Sequence, residues 1–431
     1  MKKTLLLIVV LIHIGVYSAS AQFTVDVDFR IRSEYRDGAR IMLDSSKQAA
    51  FVSSQRTRLI TTYKKDKLEL RFGIQNARIW GQDKERANVG NVNLSEGWLK
   101  YQLSPYFSVQ AGRQHMVLDD GRIFGKRNWN DIAVSHDLAV LHFNKDSWSV
   151  KTGAAYNNES NNFQEAPYTV NYYKYLAFAW AHKKVSDNLQ LSFLTSVDAN
   201  EDEDDFKKIY PRYTSGFYAK VGSGGSKFDM QASAYYQYGK NPVGLKQRAY
   251  MFSIIPKYKI SSTLTGVLGV NFISGNDELD TDNNENNAFN KLFGDGHRYY
   301  GYMDYFLNIE SNTKGAGMRE LFASVFIKTG EKSTLEISIH NFALAGNLLA
   351  TNEQNSMVAI DKSLGNEIDL QYTQKISKDL SFRASYSTML AQPSMEALKG
   401  GDHQRYQQWA AIMLMAKPTL FTSKEPTVPN K

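Results

Sequence analysis

Apolar and polar side chains alternate strictly along several short segments of the chain. From Phe23 to Arg32 every apolar residue is followed by a polar or charged one, so the apolar side chains share one parity and the charges share the other. The same period of two recurs at residues 68–72, 335–339, 368–372 and 380–384. Because successive side chains of a strand point to opposite faces, the pattern predicts β-strands with one apolar and one charged face.

Short turn signals alternate with longer polar stretches along the whole sequence. The turns are expected at residues 64–66, 104–105, 144–146, 186–188, 223–225, 261–262, 330–332 and 377–379. The longer stretches are expected at 37–50, 81–91, 117–136, 157–170, 198–209, 239–246, 275–316, 345–364 and 393–406. This arrangement predicts about eighteen antiparallel strands, an even number as in bacterial outer-membrane barrels.

A charged face on every strand has two possible locations, namely water around a soluble sheet or the lumen of a closed membrane barrel. The mean hydropathy is only −0.43, although 13% of the residues are aromatic. Lipid-facing and lumen-facing residues cancel in such an average, so a low value is compatible with a barrel. We therefore predict an all-β fold, a transmembrane antiparallel β-barrel of about 18 strands with short periplasmic turns and long extracellular loops. A β-sandwich or a propeller is the soluble alternative, but we find no four-strand repeat of a propeller.

The N-terminus has the features of a secretory signal peptide. Lys2 and Lys3 precede an apolar run from Leu5 to Val16, and small residues at 19–21 offer a cleavage site. The run is shorter than the roughly 20 residues of a membrane-spanning helix. We predict a signal peptide at 1–21, a barrel at 22–421, a polar tail at 422–431, and a location in the Gram-negative outer membrane. The sequence has no cysteine, which excludes disulfides and thiolate metal sites.

Basic residues dominate the charged parity of the strands, and the net charge is +7. The predicted lumen cations of this kind are Arg30, Arg32, Arg56, Arg58, Arg71, Lys151 and Arg383. Guanidinium groups stay charged and match carboxylate geometry, so a row of arginines suits the stepwise passage of a carboxylate-bearing anion. Alternatively, the arginines pair with acidic residues such as Asp28 and Glu96 and brace the wall. Both interpretations stay open.

Residues 112–137 are too charged and too rich in glycine for a plain strand, and they predict a constriction or an external loop. The segment contains Gly112-Arg113-Gln114, Asp120-Gly121-Arg122, Gly125, Trp129 and Asp137. Further marks are Trp80-Gly81, Glu96, His297, Gly301 to Asp304 and Lys417 to Phe421. With these residues the sequence resembles the alginate-export family of outer-membrane porins. The resemblance implies an eighteen-strand barrel with an electropositive lumen that conducts a uronate polymer. It also implies that Arg113, Arg122 and Arg127 lie on the pathway, and we add Glu96 to the predicted pore-lining residues.

The function predicted from these observations is passive passage of anionic saccharides or other organic anions, without a catalytic site, a cofactor or a metal. The expected partners are outer-membrane lipid, lipopolysaccharide and the machinery that inserts barrels; we expect a monomer that binds no nucleic acid. One alternative is a ligand-binding or structural surface barrel whose lumen is blocked by loops 117–136 and 275–316. Another is a general porin with a different substrate. The histidines lack zinc-helix spacing and no nucleophile elbow occurs, although a hydrolase barrel can assemble its site from distant strands.

Overall fold

One closed sheet forms the wall of the molecule in the computed structural model. The structure describes residues 21–84, 92–170, 172–282, 284–351 and 355–423. The strands are β1 (Gln22–Asp37), β2 (Ala50–Lys65), β3 (Leu68–Ile79), β4 (Val92–Gln102), β5 (Phe107–Gln114), β6 (His136–Lys145), β7 (Trp148–Tyr156), β8 (Tyr175–Ser186), β9 (Leu189–Glu201), β10 (Ile209–Val221), β11 (Phe228–Lys240), β12 (Lys246–Lys259), β13 (Leu264–Ile273), β14 (Met318–Gly330), β15 (Ser333–Leu344), β16 (Leu349–Thr351), β17 (Met357–Ala359), β18 (Ser363–Lys375), β19 (Leu380–Ala391), β20 (Gln407–Ala416) and β21 (Thr419–Thr422). Two short helices are α1 (Ile309–Asn312) and α2 (Ser394–Lys399).

The sheet closes because its first strand pairs with its last. Ile31 of β1 lies opposite Gln55 of β2 on one side and opposite Leu414 of β20 on the other. After a break at residues 417–418 the chain continues as β21, which pairs with the beginning of β1. With β20 and β21 counted as one wall strand, and with the separate hairpin of β16 and β17 left out, eighteen antiparallel strands form the barrel. The predicted fold class is confirmed.

The connections alternate in length as the sequence predicts. All eight expected turns join neighbouring strands at one end of the barrel, for example residues 66–67 between β2 and β3. The nine longer connections lie at the other end, and the longest two are residues 115–135 and 274–317. In outer-membrane barrels the short turns face the periplasm and the long loops face the exterior. Most of the predicted signal peptide and of the polar tail lies outside the described residues, so the domain boundaries stay predictions.

The two faces of the wall have opposite polarity. Side chains such as Phe72, Phe217 and Leu268 are exposed on the outer face, whereas Arg56 and Arg58 are buried on the inner face. This is the reverse of a water-soluble sheet and matches a wall with lipid outside and a polar lumen inside. No helix in the described part of the chain has the length and hydropathy needed to span a bilayer.

Residues 115–135 and the described part of 274–317 fold into the lumen, and we call these two loops together the plug. Phe124 of the first loop packs against Phe293 of the second and against Phe178 of β8, with ring centroids 5.3 and 5.4 Å apart. On the far side of the lumen, the Met303 backbone N–H donates to Glu367 of β18 at 2.7 Å. The plug therefore contacts the inner wall on opposite sides and narrows the passage.

Candidate functional site

The arginines of β1 and β2 hold the tip of the first plug loop. Arg30 Nη1 donates to the carbonyl oxygens of Asn128 and Trp129 at 3.0 and 2.9 Å. Arg56 Nη1 donates to the Asn128 carbonyl at 3.0 Å, and Arg58 Nη1 donates to the Asn128 side chain at 2.9 Å. All three arginines face the lumen, as their parity predicts, but their donors are largely used by the protein itself.

Acidic partners complete this anchor. Asp131 Oδ1 lies 2.6 Å from Arg30 Nη2 and 3.4 Å from Arg32 Nη2. Asp28 lies 3.2 Å from Arg56 and 3.7 Å from Arg58. Each carboxylate therefore serves two arginines, so the group keeps an excess of positive charge. Most of its donors are used, but Arg56 Nε and Arg58 Nη2 are buried without a hydrogen-bond partner among the described residues.

Trp129 lies at the junction of both plug loops and the wall. Its ring stacks on the His297 ring with centroids 3.5 Å apart and planes 6° apart. The guanidinium of Arg32 lies 4.4 Å from the ring centroid, and the Trp409 ring of β20 is tilted edge-on to it with the two centroids 6.0 Å apart. Because three elements meet at one ring, Trp129 fixes their relative position.

Arg122 was expected on the solute pathway, and the structure contradicts this expectation. The side chain is buried; its Nε donates to Asp120 at 3.0 Å, and its Nη1 donates to the Tyr300 hydroxyl at 3.1 Å. Its guanidinium also lies 4.0 Å from the Tyr299 ring. Arg122 thus links the two plug loops and does not line the main cavity.

Arg113 also lies away from its expected position. It occupies the same parity of β5 as Phe107, which is exposed, and it forms a two-bond ion pair with Asp137 at 2.9 and 2.6 Å. The alternate residues Ser108 and Gln114 are the buried ones. Arg113 is therefore on the outer face of the wall, and the prediction that it lines the lumen is wrong.

Three further predicted residues lie on the inner wall outside the main cavity. Arg71 Nε and Glu96 Oε2 form an ion pair at 3.2 Å, and Arg71 also donates to Thr62. Lys151 Nζ lies 5.2 Å from the Trp180 ring centroid. Their sides of the wall are as parity predicts, but whether any of them contacts a solute stays a prediction.

A cavity of about 860 Å³ runs between the plug and the wall. Its lining includes Asn200 and Pro242 near the long loops, and Met415 and Lys417 near the short turns. The cavity therefore extends along the barrel from one end towards the other. Eight basic and three acidic side chains line it; the basic ones are Arg30, Arg56, Arg127, Arg212, Lys291, Arg298, Arg383 and Lys417, and the acidic ones are Asp28, Asp198 and Asp295.

Four of these basic residues belong to the predicted set: Arg30, Arg56, Arg127 and Arg383. Arg127 adopts a positive φ of 48°; its backbone N–H donates to Asp295 at 2.6 Å, and its Nε donates to the Gly294 carbonyl at 2.9 Å. Burial in the plug lowers the pKa of its guanidinium from the ordinary value.

The other four basic residues of the cavity, Arg212, Lys291, Arg298 and Lys417, were not among the predicted pore-lining residues. Arg212 shares its parity in β10 with Tyr210 and Thr214, and all three side chains are buried. The period of two could therefore have identified Arg212 as an inner-face residue. Lys291 and Arg298 lie in an irregular loop that carries no periodic signal. Burial and the nearby Arg127 charge lower the pKa of Lys291 to about 7.

A closed barrel of eighteen strands, apolar outside and with a charged cavity inside, is the architecture of an outer-membrane channel of Gram-negative bacteria. The sequence matches the family model described as Alginate export over residues 21–389, and the chain belongs to this family. The resemblance and the location expected from the sequence are thereby confirmed. No curated protein sequence matches the chain.

Solved outer-membrane proteins share the fold. OccAB1 from Acinetobacter baumannii superposes with a TM-score of 0.62 at 14% identity, over 94% of this chain and 98% of that one. The outer membrane protein opdK from Pseudomonas aeruginosa gives 0.60 at 9% identity, over 93% and 98%. OpdL from the same organism gives 0.61 at 10% identity, over 93% and 99%. At such low identity these similarities establish the fold alone.

Proposed function

We propose that this protein is a passive channel for organic anions, with acidic saccharides such as uronates as its substrate class. The observation that carries the proposal is the cavity along the barrel, whose lining holds eight basic and three acidic side chains. A narrow passage lined mostly by one sign of charge raises the local concentration of ions of the opposite sign. Membership of the alginate-export family supports the saccharide part of the proposal.

The form of the cavity also supports transport. It lies between the plug and the wall, so a solute that enters it exchanges part of its hydration for protein hydrogen bonds. Guanidinium and ammonium groups are the donors that replace water around a carboxylate, and rings of such groups give anion preference in pores. Because several cations lie along the cavity, no single one has to hold the solute tightly, which permits release.

A surface barrel that binds a ligand without conducting it is the second candidate. The plug favours it, because Phe124 and Tyr305 belong to a buried apolar cluster inside the lumen. The extension of the cavity towards both ends favours the channel instead. For either candidate we propose a monomer in lipopolysaccharide-containing outer membrane.

Planar-bilayer recording of the purified full chain tests the channel. In a potassium chloride gradient we expect a reversal potential whose sign shows that chloride permeates more readily than potassium. Liposome swelling should be faster with galacturonate than with galactose, its neutral analogue. Absence of conductance supports the blocked barrel, and cation preference contradicts the anion channel. Esterase and peptidase assays of the same preparation test the hydrolase alternative, and its mass in detergent tests the monomer.

A further inference from the structure

Most of the basic side chains around the cavity are already engaged by the protein. Five of them donate to internal acceptors: Arg30 to the Asn128 carbonyl at 3.0 Å, Arg56 to the same carbonyl at 3.0 Å, Arg127 to the Gly294 carbonyl at 2.9 Å, Arg212 to Asp198 at 2.8 Å, and Arg298 to the Asp120 carbonyl at 3.1 Å. A sixth, Lys417, is more than half exposed near the short turns and lies 3.9 Å from Asp28.

Lys291 and Arg383 differ from these six. Among the described residues the Lys291 side chain has no hydrogen bond or ion pair, although the exposed fraction of Lys291 is only 7%. The Arg383 side chain likewise has no hydrogen bond or ion pair within the described ranges, and its Nε is buried without a partner. A buried donor that lacks an acceptor, such as Arg383 Nε, costs about 1–3 kcal/mol, and more when it is charged, so it calls for an explanation.

The positions of the two residues suggest what they do. Lys291 belongs to the second plug loop, and Arg383 belongs to β19 of the wall; both line the same cavity. A solute that passes between plug and wall therefore meets one unengaged cation on each side. Gly296 leaves the space beside the Lys291 ammonium open, because a Cβ at that position would lie 2.8 Å from Nζ.

We propose that Lys291 and Arg383 form the carboxylate-binding site of the channel. The other basic residues of the cavity contribute positive electrostatic potential and hold the plug and wall in place. This inference rests on the proposed function and names the residues that set its specificity. A carboxylate at this site accepts hydrogen bonds from donors that the protein leaves unused. The anchoring arginines, by contrast, would have to release the plug before they could bind a solute.

The surroundings of Lys291 leave its charge adjustable. The charged groups that act on it are Arg127 of the first plug loop, and Asp295 and Asp304 of its own loop. Asp295 accepts a hydrogen bond from the Arg127 backbone, and Asp304 accepts one from His297 at 2.7 Å. Neither carboxylate forms an ion pair with Lys291, and its pKa of about 7 makes it cationic below neutrality and neutral above. Carboxylate binding should therefore weaken as the pH rises through 7.

The test measures how strongly galacturonate blocks the chloride current of the full chain in a bilayer, with galactose as the uncharged control. We expect Lys291→Met and Arg383→Met each to weaken the block about tenfold, as for loss of one hydrogen bond to a charged group. Lys417→Met is the matched control, because it removes one positive charge from the same cavity, and it should change the block by less than about threefold.

The conservative variant Lys291→Arg separates a role in binding from a role in folding. Arginine stays charged at every relevant pH, so the block of this variant should be equally strong at about pH 6 and about pH 8. In the wild type the block at about pH 8 should be several-fold weaker than at about pH 6. Equal effects of Lys291→Met and Lys417→Met on the block would overturn the site. Unchanged block in Lys291→Met or in Arg383→Met would overturn it as well. If the wild type conducts with no anion preference, the proposed function fails first; anion preference with unaltered block in the variants refutes the site alone.

Discussion

Replacement of Trp129 by alanine tests whether the plug limits the current. Its ring stacks on His297 at 3.5 Å, and Arg32 lies 4.4 Å from the ring centroid. Stacking contributes about 1 kcal/mol, the cation–π contact about 1 kcal/mol, and the lost apolar area about 1 kcal/mol more. The loss of about 3 kcal/mol corresponds to a roughly hundredfold larger equilibrium constant for local opening of the plug.

Single-channel recording is the assay. Trp129→Ala should show frequent transitions to a larger conductance that are rare in the wild type, because the loop tip leaves the wall more often. Trp80→Ala is the matched control, since Trp80 is exposed, lies beyond the end of β3, and forms one side-chain hydrogen bond, with Gln55. If current noise and conductance in Trp129→Ala equal those of the wild type and of Trp80→Ala, the plug does not control the passage.

Three other substitutions separate plug, wall and cavity. Arg122→Met breaks a buried ion pair and should cost about 3 kcal/mol of plug stability. Limited proteolysis should then cut the plug faster, while the barrel keeps its heat-modifiable mobility on gels. Equal cleavage rates would contradict the link that Arg122 makes between the two plug loops. Leu268→Arg puts a charge on the lipid face and should cost about 2–4 kcal/mol in urea unfolding from vesicles. Leu279→Arg, at an exposed position of the second plug loop, should cost little; equal midpoints would contradict the assigned face. Asp198→Asn leaves the Arg212 charge uncompensated and should raise the anion-to-cation permeability ratio about twofold, as for one charge across about 10 Å of partly screened water; a lower ratio would contradict an electropositive cavity.

The strands and turns were predictable because lipid on one side and a polar lumen on the other impose the same rule on every wall strand. The alternating segment from Phe23 to Arg32 lies wholly within β1. Asp66 adopts a φ of 51° in the turn between β2 and β3, at a position where the sequence signals a turn. Such signals are local, so a single sequence contains them.

The errors at the candidate site have physical reasons. Arg113 was assigned through a motif, although the apolar residues Phe107 and Val109 share its parity and indicate the outer face. Arg122 was assigned through the same motif, and its burial depends on contacts with Tyr300, which lies far away in the sequence. Lys291 lies in a long irregular loop, where only the folded plug determines which side chains reach the cavity.

The two interpretations of the lumen arginines, selectivity and bracing, are compatible because of the acceptors that the arginines use. Backbone carbonyls of residues 128–130 accept from Nη1 of Arg30 and of Arg56 without cancelling charge, and the two carboxylates that pair with their Nη2 atoms, Asp131 and Asp28, are each shared with a second arginine. A bidentate pair such as Arg212 with Asp198 instead removes net charge from the lining. Bracing by carbonyls therefore keeps the positive field that attracts an anion, but it uses up the hydrogen bonds that would bind one. Contact with the solute then falls to cations that have no acceptor of their own.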